Sequence, residues 1–250
     1  MRTWLTCTLI ALVAAAVTTP AMAADDLPAG FVSLFNGRDL TGWIVPEGDN
    51  GHWKVVDGVI DYDACSEAKG EKNLWCKREF KNFILRVDWR IKPVELPPLN
   101  TPYILPDGTH AHDRDGKPIQ IPVVSADSGV FLRSFAKGQV NIWNWPIGSG
   151  EIYGYRSDAS QPPEIRAAAT PRTQADKPVG QWNRFEITLR GDRLTVFLNG
   201  KKVIDNAQLP GIPPKGRIGF QHHGGKKNGK YGPLSSLLQY KNICVKELPD

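Results

Sequence analysis

Apolar and polar residues alternate with a period of two along much of the chain, and helical spacing is nearly absent. The clearest run is Phe83 to Ile91, where Phe83, Leu85, Val87, Trp89 and Ile91 fall on one face. Similar runs predict strands over 52–56, 59–62, 128–133, 139–145, 185–189, 194–198, 202–204, 217–222 and 237–245. Asp57-Gly58 and Asn199-Gly200 are strong two-residue hairpin signals, and Ala136-Lys137-Gly138 and Gly191-Asp192 are further turn candidates. Ala167 to Ala169 can form a helical turn that Pro171 stops. About a dozen short strands imply an all-β fold, a jelly-roll sandwich of two antiparallel sheets.

One stretch breaks this rhythm. Residues 93–122 hold seven prolines and the turns Pro106-Asp107-Gly108 and Asp115-Gly116. Proline cannot donate to a ladder, so no central strand fits there. The stretch is read as a Pro-rich flap beside a binding face, with a floppy insertion as the alternative. Residues 157–180 are a second irregular region.

The start of the chain has the features of an address. Met1-Arg2 is followed by the apolar run Leu5 to Val17 and by Ala21-Met22-Ala23, a small-x-small cleavage site. Residues 1–23 read as a signal peptide, which leaves 24–250 as a single β-sandwich domain that is exported, either periplasmic or secreted. The run is shorter than the ~20 apolar residues of a membrane span, and no second stretch approaches that length. No transmembrane segment is therefore expected in the mature chain. A net charge of +5 without a long Lys/Arg run argues against nucleic acid as a partner. Of the cysteines after residue 23, Cys65 and Cys76 are the closer pair and the expected disulfide, with Cys244 a buried thiol.

Common catalytic signatures are missing: there is no GxSxG, HExxH, Walker loop or dinucleotide fingerprint. Candidate chemistry must come from strand faces. Alternation sends Ser128, Val130, Leu132, Val140, Ile142, Ile218 and Phe220 inward. It leaves Asp127, Arg133, Asn141, Trp143, Gln221 and His223 on the other side. In 151–155, read as a further strand, Glu151, Tyr153 and Tyr155 share a face. Aromatic planes beside amide, carboxylate and guanidinium groups suit a carbohydrate, whose rings have apolar C–H faces and whose hydroxyls need donors and acceptors. His110 and His112, with Asp113 and Asp115 nearby, have a spacing that can ligate a metal, but read better as a polar flap. His223 is the strongest single candidate, because it follows a strand end and precedes Gly224-Gly225.

Several of these motifs also carry a family resemblance. The segment Phe31 to Trp43 (FVSLFNGRDLTGW), Trp53 to Gly58, Asp127 to Arg133, Gly180 to Asn183, Leu198 to Gly200, Gly219 to Gly224 and Tyr240 to Ile243 occur in the order found in the DUF1080 or 3-keto-disaccharide hydrolase domain family. The resemblance spans Phe31 to about Leu248. It implies a concanavalin A-like fold, export and action on carbohydrate, with cleavage of 3-keto-glycosides in some members and an associated divalent metal ion. Gln221, His223 and Gly224 match the family's Gln-x-His-Gly element. Asp127 stands where many members have Asn, and Asn141 falls where they have a carboxylate, so the chain resembles a distinct subgroup.

The expected function is an exported hydrolase or lyase that opens a 3-keto-glycoside by proton abstraction, elimination and hydration. His223 is the expected base, with Asp127 or Glu151 as alternatives. Arg133, Asn141 and Gln221 are expected to hold hydroxyls or the enolate oxygen, and Trp143 and Tyr153 to stack on the ring. The alternative is a non-catalytic carbohydrate-binding protein of the cell envelope.

Overall fold

The computed structural model describes residues 27–124 and 126–250; the expected leader at 1–23 lies outside the described residues. In chain order the strands are β1 (Val32–Ser33), β2 (Trp43–Ile44), β3 (Trp53–Val56), β4 (Val59–Tyr62), β5 (Leu74–Phe80) and β6 (Phe83–Ile91). They continue as β7 (Pro98–Pro102), β8 (Gln120–Val124), β9 (Asp127–Leu132) and β10 (Phe135–Trp143). Two helical turns, α1 (Tyr153–Arg156) and α2 (Pro163–Ala168), precede β11 (Asn183–Arg190), β12 (Arg193–Leu198), β13 (Lys201–Gln208) and β14 (Gly216–Phe220). A small hairpin, β15 (Lys226–Lys227) and β16 (Lys230–Tyr231), leads to the last strand, β17 (Leu238–Glu247).

Two antiparallel sheets make the jelly-roll sandwich. One runs β13-β12-β11-β6-β17-β4-β3 with β1 paired to β17, and the other runs β10-β9-β14-β5-β2. The period-two pattern supplies the inner faces. Phe83, Leu85, Val87, Trp89 and Ile91 of β6 are buried, as are Val130, Leu132, Val140, Ile142, Ile218 and Phe220 of the smaller sheet. Phe220 stacks on Tyr240 of the opposite sheet at 4.0 Å between ring centroids. The Tyr240 hydroxyl also meets Ser128 Oγ at 2.8 Å, so the one polar residue that β9 turns inward finds a partner. Asp57-Gly58 and Asn199-Gly200 make the expected hairpin turns, with φ of 50° and 76°, and of 52° and 81°.

Several expectations are corrected. The turn between β9 and β10 is Arg133-Ser134, at φ 52° and 54°, and not Ala136-Lys137-Gly138, which becomes a bulge in β10. The left-handed backbone takes Arg133 out of the strand's alternation. Its guanidinium is buried and donates to the carbonyls of Lys81, Gly191 and Pro213, the latter two at 2.7 and 2.9 Å. Arg133 therefore knits three turns together and cannot bind substrate.

The stretch 151–155 is likewise no strand. Glu151 O accepts from Asn141 N at 2.9 Å, alongside β10, and then Tyr155 N and Arg156 N fold back onto Ile152 O at 2.9 and 3.0 Å. Gly154 permits this, because a Cβ there would sit 2.5 Å from Lys137 Cα. Tyr153 thus faces solvent while Tyr155 is buried. Cys65, Cys76 and Cys244 are all free thiols, against the expected Cys65–Cys76 disulfide. Cys76 belongs to β5, where it points into the core with Leu74 and Phe80.

The Pro-rich segment is a two-stranded ribbon of β7 and β8, extended by isolated bridges Ile104–His110 and His112–Pro118. Pro98, Pro102 and Pro122 are tolerated because each ribbon strand has a single neighbour. The ribbon docks through Gly108, whose missing Cβ would meet Thr170 Oγ1 at 2.8 Å and Arg156 Cγ at 2.9 Å.

The role of Arg133 is testable. Arg133→Met keeps the apolar stem but strands three carbonyl oxygens. It is expected to cost about 3 kcal/mol or more of unfolding free energy in a urea melt; a loss within about 0.5 kcal/mol contradicts the assignment.

Candidate functional site

The outer face of the smaller sheet carries the candidate site. Registers place Trp143 opposite Asp127, Asn141 opposite Gly129 and Gln139 opposite Phe131, so these side chains form three rows across β10 and β9. On the β14 side, Gly219 pairs with both Phe131 and Trp75 of β5. Two glycines keep this face low. A Cβ at Gly129 would lie 2.2 Å from the Gln139 amide nitrogen, and one at Gly219 would lie 2.4 Å from the Trp75 ring. Gln139 can therefore lie across Gly129 and donate from Nε2 to Gln221 Oε1. Trp75 lies over Gly219 and stacks on Phe131 at 5.3 Å.

Asp127 and His223 meet at one end of the face, with His223 Nδ1 3.9 Å from Asp127 Oδ2. Ser236 sets this pairing. Its hydroxyl donates to Asp127 O at 2.6 Å and accepts from His223 N at 2.7 Å. His223 Nδ1 also lies 2.9 Å from Leu234 O. A carbonyl only accepts, so Nδ1 carries the proton and the neutral ring presents Nε2 as a base. The imidazole is accessible, with 43% of its side chain exposed. Gly224 closes the turn at φ 69°, where a Cβ would meet Ser235 Cα at 2.7 Å.

Burial raises the Asp127 carboxyl to about 7, and the neighbouring His223 pulls the other way. Its Oδ1 is buried and has no hydrogen-bond partner among the described residues. The adjacent His222 is a different kind of residue. Its Nδ1 meets the Tyr62 hydroxyl, and burial lowers its pKa to about 4.

The other expected site residues are dispersed. Gln221 is in place: its backbone N–H donates to Gly129 O at 3.0 Å, and its side chain takes the Gln139 bond. Asn141 is on the face but buried, with its amide 3.4 Å from Glu151 Oε2. Glu151 is wholly buried and ion-paired with Arg156, so its carboxylate is committed and is not an available base. Trp143 is buried and stacked on Trp145 at 4.0 Å, which leaves Trp145 as the outer ring. Tyr153 stands away from the pair, in α1, against the ribbon.

Trp75, in an unrecognised strand, is a site residue that the sequence reading missed. Its signal was the alternation of Leu74, Cys76 and Phe80, interrupted by Lys77 and Arg78. Beyond Trp75 the face runs into a depression of about 770 Å³ lined by Asn73, Glu71, Glu67 and Lys69.

A divalent ion fits this donor set poorly. Among the described residues no three His, Cys, Asp or Glu side chains converge. Asp127 and His223 supply two donors, short of the three protein ligands of a zinc-type catalytic site.

Comparison with known proteins now bears on the site. Two proteins of Parabacteroides distasonis, named in their structures as candidate glycosyl hydrolases, share this fold. One has 19% identity over 88% of this chain and 85% of its own, with a TM-score of 0.54. The second has 20% identity over 88% and 94%, with a TM-score of 0.53. No curated protein matches the chain. Residues 30–246 match the family described as the 3-keto-alpha-glucoside-1,2-lyase-like domain. That match takes in both sheets, the ribbon and the Asp127–His223 pair, and the chain belongs to this family.

Proposed function

We propose that the protein is an exported enzyme that cleaves a 3-keto-glycoside by elimination followed by hydration, with Asp127 and His223 as its acid–base pair. The observation that supports this most is the pair itself: a buried carboxyl with an elevated pKa beside an imidazole whose tautomer is set by Leu234 O. Two titratable groups in unlike environments suit a reaction that needs both a base and an acid.

The C3 ketone makes the C2 proton acidic. His223 Nε2 takes that proton, and the electron pair forms an enolate across C2 and C3. The C1–O bond then breaks with formation of the C1–C2 double bond. Asp127, protonated for much of the time near neutral pH, gives its proton to the departing oxygen. Water then adds across the double bond: its hydroxyl goes to C1 as Asp127 takes its proton, and the His223 imidazolium returns a proton to C2, which yields the free 3-keto sugar and restores both residues. The Nδ1–H bond to Leu234 O stabilises the imidazolium formed in the first step, and Asp127 adds to this as a carboxylate once its proton has gone to the departing oxygen. Gln221, whose Oε1 is held by Gln139, turns its amide donor to the substrate. Trp75 and Phe131 supply apolar surface for the sugar ring.

The alternative is a carbohydrate-binding protein without turnover. It is favoured by Asn141 standing where the family resemblance implies a carboxylate, while the nearby Glu151 is held by Arg156.

Incubation with a 3-keto-glucoside separates the two. The enzyme is expected to release free 3-keto sugar, and His223→Ala to lower kcat by about a hundredfold or more with the fold intact. Binding without turnover, or full activity in His223→Ala, contradicts the proposal.

Asp127 also makes a stability prediction. Its folded pKa, about 7, lies above the ordinary 3.8. The folded state therefore holds a proton that the unfolded state has released, and this contribution to stability is lost as pH rises from about 4 to about 7. Asp127→Asn is expected to gain in Tm relative to the parent protein as pH rises through that window and to show little relative change below it. A pH-independent difference between the two contradicts the burial argument.

A further inference from the structure

Between the ribbon and the two helical turns lies a cavity of about 410 Å³, within the range of small-molecule sites. Its polar walls are His110 and His112 of the ribbon and Arg156 and Arg166 of the helices, and Trp145 and Tyr153 supply aromatic surface. No Asp or Glu is among the residues that line it. From these features we propose that this cavity binds the negatively charged substituent of an acidic sugar, a carboxylate or a sulfate ester, in the glycan cleaved by Asp127 and His223. The inference rests on the carbohydrate reading above and adds a substrate class to it.

The charge arrangement is specific. The Arg156 guanidinium is buried and neutralised by Glu151, so it serves as the floor. Arg166 is bound differently. Its Nε donates to Arg156 O at 2.9 Å, and among the described residues no carboxylate lies within ion-pair distance of it. Asp107, outside the lining, accepts from Thr109 N and Oγ1 at 2.9 and 2.7 Å, and these bonds, with the nearby Arg166, hold its carboxyl below the ordinary value without forming an ion pair. His110 and His112 have no ring hydrogen bonds among the described residues. The pocket therefore gathers two guanidinium groups, one of them without an ion-pair partner among the described residues, and two imidazoles whose ring N–H groups are open to a ligand, with no carboxylate in the lining. Burial and the cations around it hold the His110 ring below its ordinary pKa, in keeping with a positive local potential. An anion answers that potential, and the guanidinium fork suits carboxylate or sulfate oxygens.

The aromatic residues point to a sugar as the carrier. Tyr153 is 49% exposed at the wall, beside the Arg156 guanidinium. Trp145 links the cavity to the catalytic pair. It stacks on Trp143, which is the direct cross-strand neighbour of Asp127. A glycan lying over the outer Trp145 ring extends from the Asp127 end of the face toward the cavity. The walls are also fixed, because the Gly108 contact seats the ribbon on the Arg156 and Thr170 side chains.

The test uses intrinsic tryptophan fluorescence with three probes: methyl glucuronide, methyl glucoside 6-sulfate and methyl glucoside. At least one charged probe is expected to bind about tenfold or more tighter than the neutral one, and to weaken as salt is added. Tighter binding of the glucuronide names the carboxylate, and tighter binding of the sulfate names the ester. His112→Glu, an exposed change on the ribbon, and Arg166→Gln are both expected to abolish the preference. Turnover of a neutral 3-keto-glucoside is expected to survive His112→Glu. Equal binding of charged and neutral probes, or a preference that survives both substitutions, overturns the assignment. Because binding is read without turnover, an inactive but glucuronide-selective protein would sink the catalytic reading alone.

Discussion

The hydroxyl of Ser236 holds the candidate chemistry together. By donating to Asp127 O and accepting from His223 N, it ties the start of β9 to the loop after β14 at the point where sheet pairing has ended. β9 and β14 are ladder neighbours only as far as the Gln221 N to Gly129 O bond, and the serine carries that link two residues further, to Asp127 and His223. With it, a buried carboxyl whose pKa is raised by that burial is kept within 3.9 Å of an accessible ring. A buried serine thus acts as a positioning residue although it touches no substrate.

The rest of the face follows from sandwich geometry. Because the inner sides of β9, β10 and β14 are filled by Val130, Leu132, Val140, Ile142 and Phe220, every alternate residue must face outward. Gly129 and Gly219 then lower the floor, so that an amide and an indole lie along the sheet instead of standing on it. The ribbon and the helical turns raise a wall beyond β10, and the Glu151–Arg156 pair anchors that wall from below. The result is a surface that is apolar at Trp75 and Phe131, carries a carboxyl beside an imidazole at Asp127 and His223, and is cationic beyond Trp145.

Much of this was legible in the alternation. It placed Asp127, Gln221 and His223 on one face, and Ser128, Val130 and Phe220 inward, as the structure has them. Departures occur where the backbone leaves the strand. Arg133 was assigned to the outer face, but a positive φ turns it into the core, and nothing in a period-two pattern signals a two-residue turn at Arg133-Ser134. Tyr153 and Glu151 were placed on one strand face, but α1 separates them and a buried ion pair claims Glu151. The partner in that pair, Arg156, lies five residues away across a helical turn, a relation that strand reasoning does not consider. In β5 the charges of Lys77, Arg78 and Glu79 interrupt the apolar alternation, so neither the strand nor its outward Trp75 is legible in the pattern. The prolines of 93–122 rightly excluded a central strand, but they are compatible with an isolated ribbon, where each strand needs only one partner.

The central claim is that Asp127 and His223 form one electrostatic unit in a buried corner of the face. A carbon-13 NMR titration of the Asp127 carboxyl tests it most directly. The structure requires an inflection near pH 7 in the parent protein. Replacing His223 with alanine should move the inflection further up, because a nearby imidazolium lowers it. An inflection near the ordinary 3.8 that is indifferent to His223 would show that the two groups are neither buried nor coupled, and would contradict the account.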